Sequence, residues 1–305
     1  MNKIRTHATV EEPEAAGIRA DRYISDFMEL LPRSQIKPRE VEIAINGRTA
    51  KLSKAVEVGD DLTVDYLPRE ESSVEAENIP LDIIYENNRC IVLNKPQGMV
   101  VHPGAGNYNG TLVHALLAHI PELKKNFPDE PLRPGIVHRL DKDTSGIIVA
   151  AKDPAALQFL SRQFAKKSIA KQYLAIVKGV LQKPHGYIDH PIARDIHNRK
   201  KFTWQRSDGK EAFTEYRVLR RFEYASFVSL MPSTGRTHQL RVHMSSLGHP
   251  VAGDPIYGRS GGSFKNFSLM LHAYKLSLRL PGESEARVFR AHLPEHFKCA
   301  LQSLK

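Results

Sequence analysis

The segment 138–146, His-Arg-Leu-Asp-Lys-Asp-Thr-Ser-Gly, combines carboxylate, basic and hydroxyl side chains immediately before the apolar run 147–151. A polar loop at the end of a buried strand holds reactive groups rigidly and leaves them open to a substrate. Asp141 is therefore a candidate catalytic carboxylate. A loop of this composition is also typical of a turn whose side chains cap its own backbone.

Two other polar segments could complete a site with Asp141. Segment 233–243, Ser-Thr-Gly-Arg-Thr-His-Gln-Leu-Arg-Val-His, contains basic groups that could pair with a carboxylate and keep it ionised. The same groups would suit an exposed helix face. Tyr173, in Lys-Gln-Tyr at 171–173, opens an apolar run and is by itself typical of a half-buried strand tyrosine. Residue types alone leave these alternatives open.

A stretch between residues 194 and 206 mixes cations with aromatic rings. Its members are Arg194, Arg199, Lys200, Lys201, Phe202, Trp204 and Arg206. Such a mixture suits backbone contact and base stacking with single-stranded or loop RNA. A solvated hairpin with two core aromatics would have the same composition, and the spacing does not decide between the two.

Apolar runs predict the strands that must position these segments. The candidates are 91–93, 147–151, 173–177, 227–230 and 275–280. Asp153 as N-cap and Pro154 at the first helical position predict a helix, and another is expected over about 236–247. Because strands outnumber helices and do not alternate regularly with them, the pattern favours an α+β fold with a mixed, mostly antiparallel sheet.

The chain is predicted to have two domains joined by a charged linker. Residues 69–80 are polar and nearly free of large apolar groups, so we predict a linker there, between a module at 1–68 and a larger domain at 81–305. In the module, apolar spacing predicts a helix over 21–31, and Asn46-Gly47 predicts a tight hairpin. These elements indicate a small α+β module.

Charge and composition narrow the class of protein. The net charge of +10 suits a polyanionic partner, because lysine and arginine release counterions from phosphates. Residues 1–80 carry 11 Lys/Arg and 16 Asp/Glu, a net charge of −5, whereas the rest carries 33 and 18, a net charge of +15. The two cysteines, Cys90 and Cys299, exclude a cysteine-rich zinc site. No apolar run approaches the roughly 20 residues that span a bilayer, and the first residues are polar. We therefore expect a cytoplasmic protein.

The three polar segments resemble the three ordered motifs of the RluA-type pseudouridine synthases. The motifs are His138–Gly146, Lys171–Ala175 and Thr234–His243, and supporting matches are Asn94–Gly98, Val101–Gly104, Gly248–Asp254 and Leu271–Ala273. The resemblance covers about residues 80–295, and the run Val100–Gly106 is most similar to the RluD-like synthases of the large ribosomal subunit. It implies the pseudouridine synthase fold with a central catalytic cleft.

Residues 16–66 resemble the S4 RNA-binding module that often precedes this catalytic domain. Pro38 interrupts what would be a basic helix, and Glu40 and Glu42 follow it. The region also carries the negative net charge. The resemblance therefore implies an S4-like fold with weak RNA binding.

The resemblance also implies a reaction and roles for residues. The bond from ribose C1′ to uracil N1 breaks, the base turns, and C1′ joins C5, with no cofactor and no metal. Asp141 would be the catalytic carboxylate, Arg241 its cationic partner, and Tyr173 would lie against the uracil and handle the C5 proton. The implied RNA contacts are Arg139, Lys142, Arg236, His238, Arg194, Lys200 and Lys201. The partner would be ribosomal RNA or its precursor, bound by a monomer.

Three alternatives stay open at this point. A metal-dependent hydrolase could use His138, Asp141, His238 and His243, although two histidines five apart diverge by about 140° on a helix. The chain could instead be a transfer-RNA synthase of the same family. It could also be a non-catalytic RNA-binding protein of the ribosome.

Overall fold

The computed structural model describes residues 3–68, 74–104, 106–198, 200–258, 264 and 266–304. The chain divides into two compact units, Met1–Ser72 and Ser73–Lys305. Each unit has an apolar core of its own.

The first unit is a four-stranded antiparallel sheet packed with short helices. Its elements are β1 (Ile4–Thr9), α1 (Ala20–Asp26), α2 (Arg33–Ile36), β2 (Glu42–Ile45), β3 (Arg48–Ala50) and β4 (Asp61–Tyr66), with a 3₁₀ turn at Pro13–Ala15. The sheet order is β1-β4-β2-β3. Asn46 and Gly47 have φ of 51° and 73°, as a two-residue turn with two left-handed positions requires, so the predicted hairpin is confirmed.

The helix predicted over 21–31 is shorter in the structure, because α1 ends at Asp26. Phe27, Met28 and Leu31 still pack in the core of the unit, but they do so from the loop after α1, where Glu29 has a φ of 48°. Their apolar spacing reflects burial rather than a continued helix.

The second unit contains eleven strands and five helices in the described residues. The strands are β5 (Ile83–Glu86), β6 (Cys90–Lys95), β7 (Ser145–Ala151), β8 (Ala170–Lys178), β9 (His185–Asp189), β10 (Ala193–Arg194), β11 (Phe202–Thr203), β12 (Phe213–Arg221), β13 (Ala225–Pro232), β14 (Leu271–Arg279) and β15 (Ala286–Arg290). The helices are α3 (Leu112–His119), α4 (Leu123–Asn126), α5 (Pro154–Ala165), α6 (Gln239–Ser246) and α7 (Glu295–Ser303).

Nine of these strands form one sheet, in the order β5-β6-β7-β14-β8-β13-β12-β9, with β15 also paired to β14. Only β7 and β14 run parallel among the described pairs; the others are antiparallel. The predicted α+β class with a mixed, mostly antiparallel sheet is confirmed. All five predicted strands of this domain lie in the sheet, and Asp153 caps α5 by accepting the N–H of Ala156 at 2.9 Å.

The centre of the sheet lies between two apolar cores. One core surrounds β6 and β7 with α3 and α5, and the other surrounds β8 and β13 with α6 and α7. Tyr173 packs against both cores. The β7–β14–β8 junction is therefore the place where elements from both halves meet.

Gly146 allows β7 and β14 to approach at this junction. Its φ is 112°, and a Cβ at this position would lie 2.3 Å from the carbonyl oxygen of Ala273. No side chain fits in that space, so the close parallel contact requires glycine.

Part of the predicted linker 69–80 belongs to the second unit. Val74 is buried in the core around β6 and β7, and the Glu77 carboxylate accepts the N–H of Gly110 at 3.0 Å. The sequence did not predict that this segment belongs to the second unit. Its composition is polar, and only one buried valine and one carboxylate bind it to that unit. Residues 69–73 lie outside the described part of the chain.

Candidate active site

Asp141 lies in the loop 138–144, which leads directly into β7, and hydrogen bonds from one side chain and from backbone N–H groups fix the backbone of this loop. Gln97 Nε2 donates to the carbonyl of Asp143 at 2.8 Å, and the N–H of Gly98 donates to the carbonyl of Lys142 at 2.9 Å. The N–H of Thr144 closes the turn on the carbonyl of Asp141 at 3.1 Å. The loop is therefore a rigid support for the carboxylate.

Lys95 lies beneath this loop and is 1% exposed. Its Nζ donates to the carbonyls of Pro96, Met99 and Lys142 at 2.9, 2.9 and 3.1 Å. Burial lowers its pKa to about 8, although the charges of Asp143 and Asp141 act in the opposite direction. No role for Lys95 was predicted from the sequence; a lysine at the end of the apolar strand β6 is the signal that could have identified it.

Arg241, on the first turn of α6, is 5% exposed and links two carboxylates. Its Nη1 donates to Asp141 at 3.2 Å, while Nε and Nη2 donate to Asp254 at 2.7 and 2.9 Å. Burial alone would raise the pKa of Asp254, but Arg241 and the N–H groups of Ile256 and Tyr257 hold it below the usual value. Asp254 thus fixes the guanidinium so that one nitrogen points at Asp141.

Tyr173, on β8, is half-buried and lines a pocket together with Asp141 and Arg241. Burial raises the pKa of its phenol well above the usual value, and the negative charge of Asp141 raises it further. The hydroxyl is therefore protonated at neutral pH.

His238 precedes α6 in a left-handed conformation, with a φ of 56°. Its Nδ1 lies 2.9 Å from the hydroxyl of Tyr257, which accepts the N–H of Phe202 at 2.9 Å, and its Nε2 lies 3.8 Å from Asp141. Because the Tyr257 hydroxyl can donate to Nδ1, we assign the hydrogen to Nε2, facing the carboxylate. Burial lowers the pKa of His238, with Asp141 raising it and Arg241 lowering it, so the ring is neutral at pH 7.

The helix predicted over 236–247 begins only at Gln239. The side-chain oxygen of Gln239 accepts the N–H of Arg236 at 3.0 Å and the hydroxyl of Thr234 at 2.8 Å. These bonds hold residues 234–238 as a loop that turns Arg236 and His238 toward the site.

One pocket brings together six of the residues that the sequence singled out. They are Arg139, Asp141, Tyr173, Arg236, His238 and Arg241. Lys142 does not line this pocket; its Nζ donates to Asn107 Oδ1 at 3.2 Å.

The basic stretch near residue 200 forms a hairpin of β10 and β11 beside the pocket. Phe202 and Trp204 are partly buried against a small core that includes Val242 and Tyr257, which agrees with the core-aromatic alternative. Arg194 lies over the Phe202 ring at 4.9 Å and lines a groove that meets the pocket at Gly235 and Arg236. Lys200 is exposed and Lys201 half-buried, and neither lines the groove, while Arg199 lies outside the described residues.

The ligand set of the hydrolase alternative does not converge. His138 Nε2 accepts the N–H of Val149 at 3.1 Å, and His243 is bonded to Thr214 and to the carbonyl of His190. Only His238 of the three histidines approaches Asp141 within 4 Å. Nowhere in the described residues do three metal-ligating side chains cluster, and no helix found there could cross a membrane.

Comparisons with known proteins identify the family. The profile described as RNA pseudouridylate synthase matches residues 89–246. The "Ribosomal large subunit pseudouridine synthase D" of Borreliella burgdorferi is 47% identical, over 97% of this chain and 92% of that protein. The protein of the same name from Nitrosomonas europaea is 38% identical, over 95% and 85%.

A solved structure, "Human RNA Pseudouridylate Synthase Domain Containing 1", superposes with a TM-score of 0.59 and 31% identity, over 72% of this chain and 86% of that one. It supports the predicted pseudouridine synthase fold. The similarities in sequence and in structure show that the chain belongs to the RNA pseudouridylate synthase family, in its RluA-type, RluD-like branch, and is a pseudouridine synthase.

Proposed function

We propose that this chain converts specific uridines of large-subunit ribosomal RNA to pseudouridine. The observation that carries the proposal is the pocket in which Arg241 holds the Asp141 carboxylate beside Tyr173. Relatives named for the large ribosomal subunit, 47% and 38% identical, favour ribosomal RNA as the substrate.

In this proposal Asp141 acts on a nucleotide turned out of its stack, because the glycosidic carbon is inaccessible within the stack. Its carboxylate acts on the ribose as nucleophile or as base, and the bond from C1′ to N1 breaks. Arg241 directs the carboxylate, because its planar guanidinium binds Asp254 with two nitrogens while the third reaches Asp141, a forked geometry that a lysine ammonium does not reproduce.

Tyr173 packs against the detached uracil while the base turns. After C1′ has joined C5, the proton on C5 must leave, and the Tyr173 hydroxyl passes it on. Because this phenol is protonated in the resting site, it gives up its own proton as it receives the one from C5, and the balance closes when N1, which lost its bond to C1′, takes up a proton. His238 Nε2–H lies 3.8 Å from the Asp141 oxygen that Arg241 binds, so its N–H dipole faces the carboxylate without forming a hydrogen bond.

RNA contacts surround the pocket. Arg139 and Arg236 at its rim reach the extruded nucleotide and its neighbours, and Arg194, Lys200 and Lys201 contact the strand from the β10–β11 hairpin. Lys142, in the same loop as Asp141, contributes a phosphate contact. Residues 1–68 form an S4-like module with a minor share in binding, and the protein acts as a monomer in the cytoplasm, where ribosomes assemble.

The assignment is tested by Asp141→Asn. We expect no pseudouridine formation in unmodified ribosomal RNA, because the catalytic carboxylate is lost. RNA affinity should be nearly unchanged, because this carboxylate makes only one of many contacts with the RNA. Asp143→Asn is the control, since it removes a neighbouring charge of the same loop that does not line the pocket. Turnover by Asp141→Asn would refute the catalytic role.

The substrate is tested by mapping pseudouridines in cellular RNA with and without this gene. Loss of sites in large-subunit ribosomal RNA is the expected result. Loss of sites in transfer RNA alone would replace the proposed substrate with that of the transfer-RNA alternative. No loss in any RNA would favour the non-catalytic alternative.

A further inference from the structure

A second groove opens from the catalytic pocket along the connection between α5 and β8. It shares Arg139, Lys171, Tyr173 and Arg236 with the pocket and extends to Phe164 and Lys167. Its charged lining residues are Arg139, Lys167, Lys171 and Arg236, and no aspartate or glutamate of the described residues lines it. The groove beside the β10–β11 hairpin differs, because Asp195 and Asp208 line it and Asp208 binds Arg206 with both oxygens.

Lys171 sits in this groove, and no aspartate or glutamate of the described residues forms a salt bridge with it. Its Nζ donates to the carbonyl of Thr234 at 2.8 Å, and its side chain is half-buried. Burial and the positive charge of Lys167 lower its pKa to about 8. A bound anion would offset both effects.

Lys167 lines the groove from the position just after the end of α5, where the chain leaves the helix in a left-handed conformation. Its φ is 55°, a left-handed position that costs a residue with a Cβ about 1 kcal/mol or more. Lys166 is also exposed at the end of α5 and serves the helix dipole equally well, but it does not line the groove. Neither Lys167 nor Lys171 forms a salt bridge with a carboxylate of the described residues.

We propose that this groove is a phosphate-binding site that takes a phosphodiester of the RNA strand adjoining the target uridine. Lys167 and Lys171 are its ligands, and Arg139 and Arg236 join it to the catalytic pocket. Four cations without a lining acid repel one another until a polyanion neutralises them. The inference rests on the proposed function, because the RNA strand enters the groove from the nucleotide held in the pocket.

The test compares Lys167→Asn with Lys166→Asn, both carried on Asp141→Asn in the full chain to prevent turnover. Asparagine tolerates the left-handed conformation, so Lys167→Asn removes the ammonium without new strain. Affinity for an unmodified, in vitro transcribed large-subunit ribosomal RNA is measured from roughly 50 to 200 mM salt. We expect Lys167→Asn to raise Kd about three- to tenfold and to reduce the slope of log K against log salt by about 0.7.

Lys166→Asn should leave both Kd and the slope unchanged. Lys167→Gly provides a second variant, because it relieves the strained φ and should raise the unfolding temperature while it weakens binding. Equal losses for the two asparagine variants would overturn the proposal, since they would indicate general attraction rather than a site. An unchanged slope for Lys167→Asn would overturn it as well.

Failure of the proposed function has a different signature. The chain with Asp141 intact is incubated with the same transcript, and pseudouridine is measured. Absence of turnover would count against the function, whereas turnover combined with an unchanged Kd for Lys167→Asn would count against the phosphate site alone.

Discussion

Asp254 shows how a residue that need not touch the substrate can decide the geometry of the site. It is fully buried, binds the guanidinium of Arg241 with both oxygens, and is itself fixed by the N–H groups of Ile256 and Tyr257. With two of its nitrogens held in this way, Arg241 has one direction left in which to donate, and Asp141 lies there.

We therefore predict that Asp254→Asn lowers kcat about 10- to 100-fold, since small misplacement of a catalytic group has an effect of that order. The asparagine keeps one acceptor but loses the two-point grip on Arg241. Steady-state kinetics on protein shown by circular dichroism to be folded would check it. Asp65→Asn, which breaks the exposed two-point pair with Arg5, is the control and should leave kcat unchanged. Wild-type kcat in Asp254→Asn would show that Arg241 needs no such support.

For single residues, the sequence predicted which side chains belong to the site better than it predicted which groups they bind. Asp141, Tyr173 and Arg241 could be named from ordered motifs, and the structure places them in one pocket. The pairing of Arg241 with Asp254 could not be predicted, because it depends on how the chain reverses after α6. The contact of Lys95 with the loop 138–144 could not be predicted for a similar reason, since its acceptors are backbone carbonyls that leave no pattern in sequence.

Among the elements, strands with a strong apolar pattern were predicted and the others were not. β7 is buried along its whole length, and its apolar run identified it. β1 was not predicted, because it is an edge strand with no buried residue in Ile4–Thr9 and therefore lacks an apolar signal. The start of α6 was placed three residues too early, because the left-handed turn at His238 is set by the tertiary contacts of its ring.

The junction of β7 and β14 is the element contact on which the site most depends. Gly146→Ala would put a methyl group 2.3 Å from the Ala273 carbonyl oxygen and impose a φ of 112° on alanine. We predict a loss of unfolding free energy of about 3 kcal/mol or more, from strain and overpacking together. Denaturant unfolding would measure it.

A second variant, Gly248→Ala, separates backbone strain from overpacking. Gly248 has a φ of 80° but open space around its Cβ position, so this variant reports backbone strain alone, about 1 kcal/mol. Equal losses for the two variants would contradict the close approach of β7 and β14. A larger loss for Gly146→Ala, with activity falling in parallel, would confirm that the close approach of β7 and β14 positions the loop that carries Asp141.

Over the whole molecule, charge is divided unevenly between the two units. Several cations of the first unit are neutralised within it: Arg5 binds Asp65, Lys3 binds Glu42, and Arg19 and Arg33 bind Asp21. In the second unit, by contrast, cations surround the pocket and the groove along α5 and β8. RNA affinity should therefore reside mainly in the second unit, as the net charges of −5 for residues 1–80 and +15 for the rest indicate.

Deletion of residues 1–72 tests this division. The cut keeps Val74 and Glu77, which belong to the second unit, so its core remains intact. We predict a rise in Kd for ribosomal RNA of less than about tenfold, equivalent to about 1.4 kcal/mol. A full-length control, Arg22→Gln with Lys37→Gln, removes two cations of the first unit without a cut and should weaken binding no more than the deletion. A loss above about 4 kcal/mol, the lower bound of the usual gap between specific and non-specific binding, would show that the first unit provides the specific contacts.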